Sequence, residues 1–386
     1  MDEQKLPFVV RKTENKGFGL FATKDLNAGD EILVEEPLVS CQFAWNKLYK
    51  YLACDYCMKS LETAESMSQR LTENRSLSLP HPECCERNVA ITVQCPQCEI
   101  TYCSTSCRDK AFTEYHQILC PHSQYCSPEG LEQLDETWRN IHYPPETATV
   151  WLLAKIMTRV KMEKNKAEFI SYIEEFCHQC KNESEEIVHK LLGDQFKDQL
   201  HMLREQLKSL FYSDDIAHWF TVEGFEKLFA LLGTNQQGIG SSALSVWVHN
   251  CDNLDLPDGQ RDQLDTFIDK LYEDLEKVSG SFLNCEGAGL YRVQSKCNHS
   301  CAPNAEVSFL HNDHRLTVKA INDVAAGEEI TISYLSECEL NRSRHSRQKH
   351  LRENYLFTCW CKKCQAQNGD PDVTSDEDSE DDMDDT

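Results

Sequence analysis

The chain contains no run approaching the roughly 18 unbroken apolar residues that a membrane-spanning helix requires. Its opening, MDEQKLPFVVRK, lacks the extended apolar core of a secretory leader. The expectation is therefore a soluble, intracellular protein. Positive charge is also in short supply, with 39 Lys and Arg against 64 Asp and Glu and a net charge of −25. Ten of the acidic residues lie in 370–386, which has no Lys or Arg, so the rest of the chain still carries −15. A field of that sign opposes tight, non-specific association with nucleic acid and favours a basic protein partner. No internal repeat is visible, which speaks against a repeat array.

What the sequence has in abundance is cysteine, 21 in 386 residues. In a reducing compartment that number points to metal ligation rather than a disulfide framework. The length suits two or three compact units, and 40% apolar content is enough for a core. Residues 1–53 read as short strands and turns, through FVVRK, the Gly-rich KGFGLFA, the turn NAGD and EILVEEPLV. From about 129 to 280 the period becomes helical. Val150, Leu153, Ala154, Met157 and Val160 form one stripe, opened by Pro144-Pro145, and Leu264, Phe267, Ile268, Leu271, Tyr272 and Leu275 form another. Both are read as core faces. Residues 281–335 return to strand-like segments: GLYRVQ, AEVSFL, RLTVKAI and EITISYL. Residues 341–357 read as a basic helix, with Arg342, Arg344, Arg347, Lys349 and Arg352 taken as a solvated face in preference to a phosphate-binding one. The acidic tail, 367–386, is too polar to bury itself and is expected to be disordered.

The cysteine spacing carries chemistry. Cys54-x2-Cys57, Cys95-x2-Cys98, Cys103-x3-Cys107 and His116-x3-Cys120 follow in order. Each pair places two soft ligands on one side of a turn or on one helix face, half of a tetrahedral Zn²⁺ site. Eight ligands make two closed, structural sites. Thirty-seven residues separate Cys57 from Cys95. Within them, His81, Cys84 and Cys85 lack a paired C-x2-C and are read as ordinary residues in preference to a further metal site. Cys177-x2-Cys180 falls in a helical stretch without a second pair and is read the same way. Residues 54–120 hold six Lys or Arg against nine Asp or Glu, a balance that disfavours DNA contact by this module.

Four more segments share a pattern when taken together: Lys16-Gly17-Phe18-Gly19, Asn298-His299-Ser300-Cys301, Gly327-Glu328-Glu329-Ile330-Thr331-Ile332-Ser333-Tyr334, and Cys359-x-Cys361-x2-Cys364. In that order, interrupted by the cysteine module, they resemble the SET-and-MYND family of protein-lysine methyltransferases. The resemblance covers nearly the whole chain apart from the finger insert and the tail, although family members usually continue into C-terminal helical repeats. It implies an α+β fold: a SET-type β-fold of short strands (1–53 and 281–335) interrupted by a MYND zinc finger with a long insert (54–120) and a helical insert (121–280). A zinc-bound post-SET segment (336–366) and the acidic tail would follow. The finger would be cross-braced, with Cys54, Cys57, Cys103 and Cys107 on one zinc and Cys95, Cys98, His116 and Cys120 on the other. Cys301 would join Cys359, Cys361 and Cys364 on a third.

The resemblance also implies S-adenosylmethionine as cofactor. Lys16, Gly17, Phe18 and Gly19 would hold its methionine end, and Asn298 and His299 its adenosine part, helped by Ser295 and Cys297. Asn235 matches a further cofactor contact and Tyr334 the catalytic tyrosine. Tyr355 and Phe357 match aromatics of the lysine channel, and Phe357 also of the cofactor pocket. Gln237 stands on the channel wall where relatives often carry Phe. The substrate would be a lysine on a histone tail or another basic protein, and the finger could take a proline-containing peptide. A monomer is expected, in cytoplasm, nucleus or both. The alternative from another class is a non-catalytic adaptor that binds peptides through its finger and keeps the SET fold as scaffold. That reading predicts loss of cofactor residues, whereas Asn298, His299 and Tyr334 are all present.

Overall fold

The computed structural model describes residues 6–85, 91–141, 149–182, 184, 187–193, 196–280 and 283–371. Pro144-Pro145 and the acidic tail beyond Pro371 lie outside the described residues. Among the described residues twelve short strands run in chain order: β1 Phe8–Lys12, β2 Phe18–Ala22, β3 Glu31–Glu35, β4 Val39–Gln42, β5 Val93–Gln94, β6 Thr101–Tyr102, β7 Gln237–Ser241, β8 Cys285–Leu290, β9 Asn298–His299, β10 Ala305–Ser308, β11 Leu316–Ala320 and β12 Glu329–Ile332. They pair as β1-β2-β12-β9, β10-β11-β3, β4-β8-β7 and β5-β6. Apart from the finger's β5-β6 hairpin, each of these sheets pairs a strand from residues 8–42 with at least one strand from 285–332, so those two segments fold as one body.

The helical stripes pack as expected. Val150, Leu153, Ala154, Met157 and Val160 are all buried in the helix Thr149–Met162. Leu264, Ile268, Leu271 and Leu275 are buried along Asp258–Ser279, while Tyr272 on the same helix is exposed. Two local readings change. The helical region is broken by β7, because the helix Val222–Asn235 ends at an extended Gln236 and the following Gln-Gly-Ile-Gly-Ser pairs with β8. Cys177 lies beyond the end of the helix Lys166–Glu174 and is exposed, so the pair with Cys180 is not helical.

The finger's 37-residue insert does not hang free. Its helix Ala64–Leu71, started by a Thr63 capping box, buries Met67 and Leu71 in the same core as Trp247, Leu271 and Leu275. Trp247 is fully buried and its indole N–H donates to the carbonyls of Pro80 (3.0 Å) and His81 (3.1 Å). Cys84 is buried in that core too.

Candidate active site and metal centres

Strand β12 is where the distant segments meet. Glu329 pairs with Phe21 and Ile330 with Leu20 on its antiparallel side, and Thr331 with Asn298 and Ile332 with His299 on its parallel side. Asn304 pins the same strand, donating to the Glu329 carbonyl at 2.9 Å and accepting from the Thr331 N–H at 2.8 Å. The G-x-G, N-H and E-I-x-x-Y segments therefore share one sheet. Gly17 adopts φ +70°, a left-handed conformation that favours glycine. A Cβ on Gly19 would come within 3.0 Å of Glu329 Oε1 and 3.2 Å of Asn298 Nδ2, so the close approach needs a bare backbone.

Asn298 Nδ2 donates to the Phe18 carbonyl (3.0 Å) and to Glu329 Oε1 (2.7 Å). Lys16 Nζ donates to Glu329 Oε2 at 2.8 Å. His299 is buried, and its Nδ1 accepts from the Tyr334 N–H at 3.0 Å, which leaves the proton on Nε2, 3.2 Å from Cys301 Sγ. Burial holds this imidazole neutral, down to about 4. Tyr334 donates its hydroxyl to the Cys297 carbonyl at 2.7 Å. Burial pushes that phenol upward, so it stays protonated. Its ring centroid lies 4.9 Å from Tyr355, 6.2 Å from Phe357 and 5.4 Å from His299. Between the first two aromatics, Leu356 takes a left-handed φ of 63° and ends the helix Arg344–Tyr355, turning the chain so that both rings reach Tyr334.

Ser295 and Cys297 belong to the tight turn after β8. Glu35 holds it, accepting from the N–H groups of Val293 (2.8 Å) and Gln294 (2.9 Å). Burial raises the Glu35 carboxyl above its ordinary value, against the pull of those backbone donors. The Ser295 hydroxyl donates to the Arg292 carbonyl at 3.1 Å, and burial pushes the Cys297 thiol up to about 12. Asn235 ends its helix with Nδ2 donating to the carbonyls of Cys177 (2.7 Å) and Leu231 (2.8 Å). Gln237 Oε1 accepts from Gln294 Nε2 at 3.1 Å, and Gln294 Oε1 is buried with no partner. An orphan acceptor, a side-chain-free glycine approach and neutral aromatics around Tyr334 fit a bound cofactor and an apolar channel.

Among the described residues, three groups of four soft donors accompany this sheet: Cys54, Cys57, Cys103 and Cys107; Cys95, Cys98, His116 and Cys120; and, against His299, Cys301, Cys359, Cys361 and Cys364. Within each, all ligand atoms lie within 4.8 Å of one another. Three or four thiolates that close repel strongly unless a cation sits among them, and donor sets of four cysteines, or of three cysteines and a histidine, suit tetrahedral Zn²⁺ with no open position. The finger groups interleave in the cross-braced order. The third ties the post-SET segment to the residue after Ser300.

Three residues of the site were missed in the sequence. Glu329 lies inside the Gly327–Tyr334 motif, but its neighbours in sequence give no hint that it faces Lys16 and Asn298. Glu35 carried no signal beyond being acidic. Arg347 was placed on a solvated face and instead is 1% exposed, donating to the Arg342 carbonyl (2.6 Å) and Gln367 Oε1 (2.7 Å), with Nη2 3.8 Å from Cys364 Sγ. Arg344 also turns inward, to the Cys364 carbonyl at 3.1 Å. A guanidinium is the natural neighbour for a group of thiolates, whereas helix periodicity alone cannot show which arginines such a group attracts.

A SET-domain family profile matches residues 17–335. The protein-lysine N-trimethyltransferase SMYD5 of Gallus gallus is 56% identical over 366 residues, covering 95% of this chain and 87% of its own. The Homo sapiens SMYD5 is 53% identical, covering 94% and 87%. The chain belongs to the SET-and-MYND family of protein-lysine methyltransferases. The histone-lysine N-methyltransferase SMYD3 of Mus musculus is more remote, 26% identical across 95% of this chain and 63% of its own length. As a SET-and-MYND enzyme the protein transfers methyl groups from S-adenosylmethionine to a protein lysine, and its three cysteine-rich groups are fit to hold zinc.

Metal analysis of gel-filtered protein should return three zinc ions per chain. Cys301→Ser should return two and weaken cofactor binding by about tenfold or more, because the His299 contact to that sulfur is lost with the site. Glu35 gives a pH signature. Its folded-state pKa is raised above 4.5, so between 4.5 and that raised value the folded protein keeps a proton that the unfolded chain has released. Stability conferred by this group is therefore full below that window and declines as pH rises through it. Glu35→Gln should abolish the slope in urea-melt stability over that range.

Proposed function

We propose that the enzyme trimethylates a lysine on a histone tail or another basic protein, with Tyr334 as catalytic residue and the sheet β1-β2-β12-β9 as cofactor floor. The observation that carries this is the Tyr334 hydroxyl fixed to the Cys297 carbonyl at 2.7 Å, at the end of the strand that pairs with both the Gly17–Gly19 hairpin and Asn298-His299. S-adenosylmethionine supplies the methyl as a sulfonium-activated group. Lys16, Gly17, Phe18, Gly19, Asn235, Ser295, Cys297, Asn298, His299 and Phe357 would hold it, chiefly through backbone groups at the hairpin and side-chain amides at Asn235 and Asn298.

The substrate amine must be neutral to accept a methyl. Near pH 7.4 only about one free lysine in a thousand is, a cost of roughly 4 kcal/mol. A channel walled by Tyr334, Tyr355 and Phe357 attracts the incoming ammonium through the ring faces, and its low polarity then favours loss of the proton. Tyr334 already donates its hydroxyl proton to Cys297, so its oxygen presents lone pairs to an amine N–H. That contact aims the nitrogen lone pair and needs no proton abstraction, in keeping with a phenol held neutral by burial.

The degree of methylation is read from Gln237 and from the activity for which the SMYD5 relatives are named. Gln237 is tied to Gln294 and leaves the channel wall without the rigid ring that a phenylalanine would place there, so a dimethylated nitrogen has room to turn for a third transfer. A basic substrate follows from the chain's charge of −25. The finger is proposed to take a proline-containing peptide beside the catalytic reaction, and the protein to act as a monomer in cytoplasm, nucleus or both without direct nucleic-acid contact.

Labelled S-adenosylmethionine with a lysine-peptide library tests the reading. Tyr334→Phe should lower kcat by about 100-fold while cofactor affinity stays within about twofold. Wild-type turnover in that variant, or no cofactor binding by calorimetry in the parent, would sink it. Gln237→Phe should shift the product distribution, read by mass spectrometry, from trimethyl toward mono- and dimethyl lysine. An unchanged distribution removes Gln237 from the channel wall.

A further inference from the structure

A single carboxylate bridges two cofactor segments from opposite ends of the chain. Glu329 Oε2 takes the Lys16 ammonium at 2.8 Å, and Glu329 Oε1 takes Asn298 Nδ2 at 2.7 Å. Its side chain is 19% exposed and Lys16's is 48%, so the pair is partly screened and the carboxylate is the better-buried partner. The second Asn298 amide proton goes to the Phe18 carbonyl at 3.0 Å. Both N–H groups of that amide are thus committed to the protein, which leaves Oδ1 as the one atom the amide offers a ligand, and only as an acceptor. An asparagine free to flip would offer donor and acceptor in turn, and this one cannot.

From this we infer that Glu329 is a positioning residue for the methyl-transfer reaction: it locks the Asn298 amide so that its carbonyl oxygen, and not its NH₂, is presented to donor groups of S-adenosylmethionine, and it fixes Lys16 beside the same hairpin. The inference rests on the reading of Asn298 as a cofactor contact. The space is already committed to this arrangement, since a Cβ on Gly19 would meet Glu329 Oε1 at 3.0 Å and Asn298 Nδ2 at 3.2 Å. Glu329 therefore acts through Asn298 and Lys16 and touches no reacting atom.

Three variants measured together decide the matter: Glu329→Gln, Asn298→Ala and the double variant. Calorimetry gives the Kd for S-adenosylmethionine and S-adenosylhomocysteine, and steady-state assays give kcat at saturating cofactor. The expected result is that E329Q weakens both ligands about 5- to 20-fold, leaves kcat within about twofold, and adds little further loss in the N298A background, because the two residues act as one unit. Full additivity in the double variant, or wild-type affinity in E329Q while N298A loses it, overturns the inference and leaves the Asn298 reading intact. Wild-type affinity in N298A instead overturns the Asn298 reading itself. Should E329Q fail to fold, the exchanged pair decides. Asn298→Asp faces Glu329 with a second carboxylate and should bind cofactor poorly. N298D/E329Q restores a donor–acceptor pair with roles reversed and should recover part of that loss. No recovery overturns the proposal.

Discussion

The register of one four-residue strand governs the active site. Glu329–Ile332 is too short to hold a position by its own hydrogen bonds. Its side chains alternate, with Ile330 fully buried and Ile332 3% exposed, while Glu329 and Thr331 face the other way. A slip of one residue would bring both isoleucines out and push a carboxylate into the core. Burying each isoleucine is worth roughly 1.5–3 kcal/mol. Hydrophobic burial on one face thus dictates that Glu329 points at Lys16 and Asn298 on the other. Asn304 reinforces the choice by reading two backbone groups of the strand at once. Two residues beyond the strand's end, the same register delivers Tyr334 to Cys297.

The metal groups act on that arrangement from outside. Cys301 follows directly after the Asn298–Ser300 segment, and its partners Cys359, Cys361 and Cys364 lie just beyond Tyr355 and Phe357. A metal held there would fasten the post-SET segment against the sheet, and with it the Tyr355 and Phe357 rings beside Tyr334. Arg347, packed beside Cys364 Sγ, offsets part of the thiolate charge. Because such a site cannot exist in the unfolded chain, the free energy of metal binding is also folding free energy for the channel. Its coordination is structural, yet the chemistry is incomplete without it.

Much of this was legible in the sequence, and the reason lies in the residue types. Cysteine and histidine at fixed spacing can do few other things, so all twelve proposed ligands could be named and the three groups are found assembled. Amphipathic stripes such as Val150 to Val160 declared themselves by period. The motif residues Gly17, Gly19, Asn298, His299 and Tyr334 stood out only as an ordered set, and they share one sheet and its end. What stayed hidden depends on contacts between distant segments. Arg347 belongs to a basic helix by composition, and only the fold shows that a thiolate group draws it inward. Strand β7 lay hidden in a helical stretch because Gln-Gly-Ile-Gly-Ser has neither period, and its partner β8 decides its state. Glu35 and Glu329 looked like any other of the 64 acidic residues.

The finger's long insert finds its place in the same physical terms. An excursion of that length with Met67, Leu71, Leu79 and Cys84 among its side chains must bury apolar surface somewhere, and it does so against Trp247 and the helix Asp258–Ser279. Polar contacts then continue inward from the finger itself. The Cys57 carbonyl accepts from the His314 N–H at 2.7 Å, the His314 carbonyl accepts from the Tyr291 hydroxyl, and the Tyr291 carbonyl accepts from the Ser295 N–H at 3.1 Å. Lys155, buried over the Tyr115 ring, donates to the Ser40 carbonyl at 2.9 Å and closes a second joint. Buried polar groups tolerate little displacement, because each lost partner costs about 1–3 kcal/mol. The first metal group and the cofactor turn are therefore held at a fixed distance by bonded contacts rather than by a linker, and the finger is part of the wall against which the active site is built.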